Sequence, residues 1–317
     1  TEGKYTFLDA NENPNPSSVN RYPDPNQLAL RKEIAALRGC AINQLLIGNG
    51  SDEILDLLFR AFCTPNKDNI ILMPPTYGMY AVLANINGVG IKEVPLTADF
   101  QLKTDEILAA VVPKTKAIFF CSPNNPSGNL FKTSDITALL NGFDGLVVID
   151  EAYIDFTDGP SWLSQLDNYP NLVVTQTLSK AFGLAGLRLG IAIAQPNVIK
   201  LLHNIKPPYN INTLSQQQAI EVLSDIEKVN KQIAELLAER SRVAAYLNEL
   251  DWVKTVFPSD ANFLLMRVDD ANKRYDALLA QKVVVRNRST QTNCENTLRI
   301  SIGTPDENNE LMEACNT

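Results

Sequence analysis

Between residues 45 and 194, short apolar runs of strand length recur with helix-like stretches between them. Leu45-Leu46-Ile47 precedes a helical pattern with apolar residues at 54, 55, 57, 58 and 62, and residues 69–73 precede another near 77–86. Runs at 92–94 and 116–121 follow, then a helical stretch near 133–140. Three further runs, at 146–149, 172–175 and 189–194, close the series. The alternation predicts an α/β fold around a mostly parallel sheet, in which ligands gather at the carboxyl ends of the strands. Ahead of it, residues 11–25 are rich in Asn, Pro and Ser and read as an irregular arm, and residues 27–38 read as a helix. Residues 214–250 have a helical pattern with charged residues on the outer face. Beyond them, Phe263-Leu264-Leu265-Met266, Val283-Val284-Val285 and Leu298-Arg299-Ile300-Ser301-Ile302 read as strands around a helix near 271–280. We therefore expect a large domain over residues 26–205. Residues 206–317 form a smaller α+β domain, joined by the arm of residues 1–25.

Charge and composition narrow the chemistry. The formal net charge of −8 disfavours nucleic acid and anionic membranes. No apolar run approaches a membrane span, and Thr1-Glu2-Gly3-Lys4-Tyr5 lacks the apolar core of a signal peptide. Five scattered cysteines without a C-x-x-C pair suit reduced thiols in the cytoplasm. His203 is the only histidine, which excludes a multi-histidine metal site and leaves any Ser-His-Asp triad dependent on it. It falls in a helical stretch and is expected to be structural or at the surface.

The segment Ser179-Lys180-Ala181-Phe182-Gly183-Leu184-Ala185-Gly186-Leu187-Arg188 sets one lysine beside a hydroxyl and a small-residue loop, with an arginine eight positions on. Thirty residues upstream of Lys180, Asp150-Glu151-Ala152-Tyr153 ends the 146–149 run. An amine, a carboxylate and a phenol at strand ends are what a pyridoxal phosphate site requires. The amine forms a Schiff base, the carboxylate pairs with the pyridinium nitrogen, and the ring withdraws electrons. Lys180 must lose its proton part of the time, so desolvation or nearby cations should lower its pKa. Thr177, Ser179 and Arg188 can grip a phosphate, and a helix opening at Gly50-Ser51-Asp52, with Ser51 as its N-cap, adds backbone N–H groups. A carboxylate at a strand end is often only a helix cap, so Asp150 gains its meaning from Lys180. Ser122-Pro123-Asn124-Asn125-Pro126-Ser127-Gly128 is either an ordinary turn or the source of a donor, Asn125, to the cofactor's phenolic oxygen. Tyr77 can stack on a cofactor ring or belong to the core.

These motifs resemble the fold-type I pyridoxal phosphate aminotransferases, and more narrowly the branch that acts on histidinol phosphate. The narrower likeness rests on Leu8-Asp9-Ala10-Asn11-Glu12-Asn13-Pro14, Arg21-Tyr22-Pro23-Asp24-Pro25, Lys206-Pro207-Pro208-Tyr209-Asn210, Pro258-Ser259-Asp260-Ala261-Asn262-Phe263 and Val285-Arg286-Asn287-Arg288. It runs from about residue 8 to residue 308, with Asn15 and Ser127 departing from the usual pattern. The resemblance implies that Lys180 is the Schiff-base lysine and proton carrier and that Asp150 pairs with the ring nitrogen. Tyr153 and Asn125 would meet the ring oxygen, Asn125 also facing substrate, and Tyr77 would stack on the ring. Gly50, Ser51, Asp52, Thr177, Ser179 and Arg188 would surround the phosphate, with Tyr22 reaching it from the other subunit of a homodimer. Arg299 would hold the carboxylate of glutamate and, with Arg286 and the partner chain's Tyr209, the substrate's phosphate. Three arginines, Arg286, Arg288 and Arg299, falling within fourteen positions of an acidic chain suit such an anion.

The implied reaction moves the amino group of histidinol phosphate to 2-oxoglutarate, giving imidazole acetol phosphate and glutamate, and runs from glutamate in the biosynthetic direction. An aromatic aminotransferase or a phosphothreonine-type decarboxylase of the same fold is the alternative. A pyridoxal-phosphate-sensing regulator that binds DNA through a partner module is a further one, although nothing in the chain resembles a helix-turn-helix.

Overall fold

The computed structural model describes residues 6–316; residues 1–5, read above for the missing signal core, lie outside it. Seven strands form the large sheet: β1 (Leu45–Asn49), β2 (Asn69–Leu72), β3 (Gly90–Glu93), β4 (Thr115–Cys121), β5 (Leu146–Asp150), β6 (Leu172–Thr177) and β7 (Leu189–Ala194). Their order is β1-β7-β6-β5-β4-β2-β3. From β3 to β6 every pairing is parallel, and β7 alone runs antiparallel to both its neighbours, β6 and β1. The carboxyl ends of β1, β4, β5 and β6 and the start of β7 therefore share one edge. Helices α1 (Leu28–Arg38), α2 (Ser51–Phe62), α3 (Met79–Ile86), α4 (Thr104–Ala109), α5 (Thr133–Gly142) and α6 (Pro196–Ile205) cover the sheet.

Both faces of the sheet are buried, which is why its strands read as nearly unbroken apolar runs. Along β5, Val147 and Ile149 join a core with Leu30, Ile34, Ile136 and Leu139, whereas Val148 joins the opposite core with Leu55, Phe59, Tyr80 and Leu202. Each such side chain contributes on the order of 2 kcal/mol. The period of two carries on to the end of the strand, so Asp150 projects on the Val148 side, toward α2 and α3.

The second sheet is antiparallel and is built after α7 (Thr213–Leu223) and α8 (Ile226–Asn248). It comprises β8 (Val253–Val256), β9 (Phe263–Val268), β10 (Arg286–Asn287) and β11 (Thr297–Ser301), ordered β10-β11-β9-β8, with α9 (Ala271–Ala280) and α10 (Pro305–Cys315) alongside. Leu264, Met266 and Val268 pack into this sheet's own core, while Phe263 and Leu265 face the large sheet's core. Arg299 pairs with Leu265 and Arg286 pairs with Arg299. Parity along the strands thus carries both arginines to the face that meets the large sheet.

Several local expectations are corrected. The cap of α2 is Gly50, not Ser51: its φ of 82° lies where glycine is favoured. A Cβ there would also come within 2.7 Å of the Arg188 guanidinium. The run at 283–285 is not a strand; Val284 is 73% exposed and pairing begins only at Arg286. The helical stretch from 214 to 250 breaks at Ser224 and Asp225, where the Asp225 side chain accepts from the Lys228 N–H to cap α8. Edge strand β8, half exposed and carrying Lys254 and Thr255, has no apolar run to announce it.

Gly190 marks a close approach that the sequence pattern does not flag. A Cβ on it would lie 2.2 Å from the Ser51 nitrogen and 2.3 Å from the Gly50 carbonyl carbon, both backbone atoms. Gly190→Ala is expected to destabilise the fold by about 3 kcal/mol through overpacking, read as a lowered thermal midpoint.

Candidate active site

At the shared strand edge lies a cavity of about 490 Å³ lined by Ser51, Asp52, Tyr77, Asn125, Asp150, Tyr153, Thr177, Ser179, Lys180, Arg188, Arg286 and Arg299. Sequence reasoning singled out each of these, and the fold brings them together from β1 through β11. Gly50 sits immediately behind, as the cap of α2. Tyr22 and Tyr209 do not enter this cavity. They stack on each other at 4.4 Å and 14° and line a second cavity with Val19 and Leu214.

Asp150 ends β5 and is 3% exposed. Its Oδ2 accepts from the Tyr80 hydroxyl at 3.0 Å and its Oδ1 from the Ala152 N–H at 3.2 Å. Burial raises its pKa to about 6, against the hydrogen bond from Tyr80, which favours the charged form. The Thr175 hydroxyl also favours the charged form, and all three groups are neutral, so this buried carboxylate carries its charge without a cation among the described residues that pairs with it.

Lys180 is exposed and lines the cavity. Its Nζ lies 5.9 Å from the centre of the Tyr153 ring. Partial desolvation, then Arg299 and Arg188, pushes the ammonium below the usual lysine range, with Asp150 and Asp52 opposing. The amine is thereby brought closer to the free base at neutral pH.

Asn125 links two parts of the site. Its Nδ2 donates to the Tyr153 hydroxyl at 3.3 Å, and its Oδ1 accepts from Arg299 Nη1 at 2.6 Å. Phe263 holds the same pair from behind, edge-on to Tyr153 at 5.1 Å and beneath the Arg299 guanidinium at 5.2 Å. The buried Cys121 thiol accepts from the Asn125 N–H at 3.1 Å. On the opposite wall the Tyr77 hydroxyl donates to Asp52 Oδ1 at 3.0 Å.

Two clusters of hydroxyl and guanidinium groups line the cavity on either side of the amine. At one end, Thr177 Oγ1 and Ser179 Oγ lie 3.0 Å apart, the first turn of α2 opens at Ser51, and Arg188 Nη2 stands 3.7 Å from Asp52 Oδ2. Arg188 reaches this edge because β7 runs in reverse, and it does so at a left-handed φ of 54°. At the other end, Arg286, Arg288 and Arg299 line the cavity, and among the described residues none forms an ion pair with a carboxylate. Buried Nε atoms of Arg288 and Arg299 and the buried Oε1 of Gln291 lack partners. Guanidinium groups on directly paired strand positions repel, an arrangement that an incoming anion relieves.

Sequence reasoning counted Arg288 in the arginine cluster without giving it a contact of its own, and left out Gln291, Tyr80 and Cys121. Arg288 was detectable by strand parity with Arg286. Tyr80 looked like any buried helix aromatic, and only the fold places its hydroxyl on Asp150. Among the described residues, no group of three or more His, Cys, Asp or Glu could hold a metal ion, and no helix is long and apolar enough to cross a membrane.

The family model for aminotransferase class I and II matches residues 6–315. A histidinol-phosphate aminotransferase of Flavobacterium johnsoniae is 57% identical, over 95% of this chain and 86% of its own length. One of Christiangramia forsetii is 52% identical, over 99% of this chain and 90% of its own. Among solved structures, the histidinol-phosphate aminotransferase of Clostridium acetobutylicum superposes with a TM-score of 0.86 at 26% identity, covering 94% of this chain and 90% of that one.

Proposed function

Because the chain belongs to the class I and II aminotransferases, we propose that it is a pyridoxal-phosphate-dependent transaminase acting on histidinol phosphate and 2-oxoglutarate. Its products are imidazole acetol phosphate and glutamate, and glutamate is the donor in the biosynthetic direction. One observation carries this reading: a single cavity holds an accessible amine, a buried carboxylate and, beyond them, three arginines without carboxylate partners. Its relatives at about half identity carry the same activity in their names.

The side chains present fit the cofactor. A buried carboxylate whose only hydrogen-bond donors are neutral suits a cationic ring nitrogen, which would offset its desolvation. Ser51, Thr177, Ser179 and Arg188, with the N–H groups at the start of α2, suit a phosphate dianion. Tyr77 forms one wall of the cavity and Tyr153 with Asn125 offers hydrogen bonds to a ring oxygen. When bound, pyridoxal phosphate supplies an aldehyde for the lysine amine and a ring that withdraws electrons from the substrate's α-carbon.

The chain's own residues do the rest. Lys180 Nζ, with its pKa lowered, would take the proton from the substrate's α-carbon and hold it for return. Asp150 stays ionised and fixes the ring's orientation. Arg299, steered by the Asn125 carbonyl oxygen, binds the carboxylate of the amino acceptor. Arg286, with Arg288 beside it, takes the phosphate of the amino donor. An Arg–phosphate contact is worth enough that Arg286→Ala should raise KM for histidinol phosphate about tenfold or more, leaving KM for phenylalanine nearly unchanged. Initial-rate kinetics with both donors and 2-oxoglutarate test this. Equal losses for both donors, or carbon dioxide released without consumption of 2-oxoglutarate, would favour the aromatic or the decarboxylating alternative.

In this reading the enzyme is a cytoplasmic homodimer. Residues 26–205 form the cofactor-binding domain, and residues 206–317 with the arm form the smaller one. Tyr22 and Tyr209 serve the partner's cavity. Their exposure, 57% and 42%, together with that of Val19 and Leu214 around the second cavity, supports an apolar face made for another copy.

A further inference from the structure

The hydroxyl of Tyr80 lies deep in an apolar core, where Asp150 and the Cys121 thiol are its polar neighbours. Helix α3 carries Tyr80, 0% exposed, in among Phe59 and Phe119, with its ring 5.9 Å from that of Phe119. A phenylalanine would fill the same space, and a buried hydroxyl is costly unless it finds a partner. The partner here is Asp150, whose Oδ2 accepts from Tyr80 at 3.0 Å while the Ala152 N–H holds Oδ1. The Tyr80 ring also meets Tyr77 edge-on, at 5.5 Å and 84°. One side chain therefore touches both the acid assigned to the cofactor's ring nitrogen and the aromatic assigned to its face.

We propose that Tyr80 is a positioning residue for the cofactor: its hydroxyl locks the Asp150 carboxylate in the orientation that meets the ring nitrogen. The proposal rests on the pyridoxal phosphate reading of the site. Asp52, Tyr77, Cys121, Tyr153 and Lys180 also act electrostatically on or from Asp150, and among these only Lys180 is cationic. The Ala152 N–H holds one oxygen and the Thr175 hydroxyl also favours the charged carboxylate, while the Tyr80 hydroxyl is the donor on Oδ2. A hydrogen bond to a charged, buried group is of the stronger kind. Removing it frees the carboxylate to turn and to hold a proton at higher pH.

The test is the affinity of the cofactor-stripped chain for pyridoxal phosphate, followed by the absorption of the bound cofactor. Tyr80→Phe keeps the ring and is expected to weaken binding about tenfold or more. The deaza analogue, which has carbon in place of the ring nitrogen, should bind wild type and variant alike. In an Asp150→Asn background, Tyr80→Phe should cost little further. Equal weakening for both ligands, or a full effect in the Asp150→Asn background, overturns the proposal, because a packing defect would act on all of them. Unchanged affinity for pyridoxal phosphate in Tyr80→Phe overturns it too. A wild-type chain that takes up no pyridoxal phosphate sinks the functional reading and this proposal with it, an outcome distinct from the others.

Discussion

Lys180→Ala is expected to cut kcat for transamination at least about 10⁴-fold while the chain remains folded. The size of the effect follows from the lack of a substitute. Lys180 is the only lysine among the described residues lining the cavity. The phenols of Tyr77 and Tyr153 are held protonated, since burial raises both well above the usual tyrosine range. Asp52 is engaged by Tyr77 and Arg188, Asp150 is held by the Tyr80 hydroxyl and the Ala152 N–H, and the remaining charged neighbours are arginines, which keep their protons. No other side chain there can accept the α-carbon proton at neutral pH. Lys180→Arg should fail nearly as badly, because it preserves charge but supplies no free base. Steady-state kinetics on both variants, beside thermal unfolding as a control for folding, decides the matter. Sustained turnover in Lys180→Ala would remove the lysine from the chemistry.

Asp150→Asn should separate activity from stability. Transamination is expected to fall about 10²–10³-fold, because a neutral amide cannot keep the ring nitrogen protonated. The cofactor-free protein should move the other way. The folded pKa of Asp150, about 6, lies above its ordinary value of 3.8, so the folded state binds the proton more tightly than the unfolded state. The contribution of Asp150 to wild-type stability is then greatest at acid pH, falls as pH rises from the ordinary value through about 6, and levels off above it. A shift of about two units corresponds to roughly 3 kcal/mol at most. Asp150→Asn has no such titration, so its cofactor-free form should be the more stable of the two above that range and lack the wild-type decline. Denaturant unfolding of both proteins across this pH span, without cofactor, measures the difference. Parallel stability profiles would show that the carboxylate bears no ionisation cost.

The opposed signs have one cause. A carboxylate made to meet a cation is placed where, without the cation, it is out of water and poorly compensated. Such a group costs stability to the empty protein and returns it on binding.

Which parts of this were readable in advance depended on the distance over which each signal acts. Lys180 with Ser179 and Thr177, and Asp150 with Tyr153, are near neighbours along the chain at the ends of apolar strands. Period-two burial and the strand-end rule suffice to place them on one edge. The helix opening at residues 50–52 was legible for the same local reason, although the cap itself moved by one residue because only glycine suits its backbone and the space beside Arg188. The second sheet was harder to read. Edge strand β8 buries too little to show an apolar run, and the valines at 283–285 turned out to lead into a strand, not to form one.

The chain's own order of residues determined the alternating fold, the amine, the acid beneath it and the cluster of arginines near its end, because each is written in contiguous patterns of polarity and turn chemistry. Contacts between distant segments were left to the folded structure. The reversal of β7 delivers Arg188 to an edge that a parallel strand would have denied it. Pairing of β11 with β9 and β10 aims Arg299 and Arg286 into the cavity, and α3 sets a phenol against a carboxylate seventy residues away. Such contacts are fixed by which faces pack together, and packing is a property of the whole core that no single stretch of sequence contains.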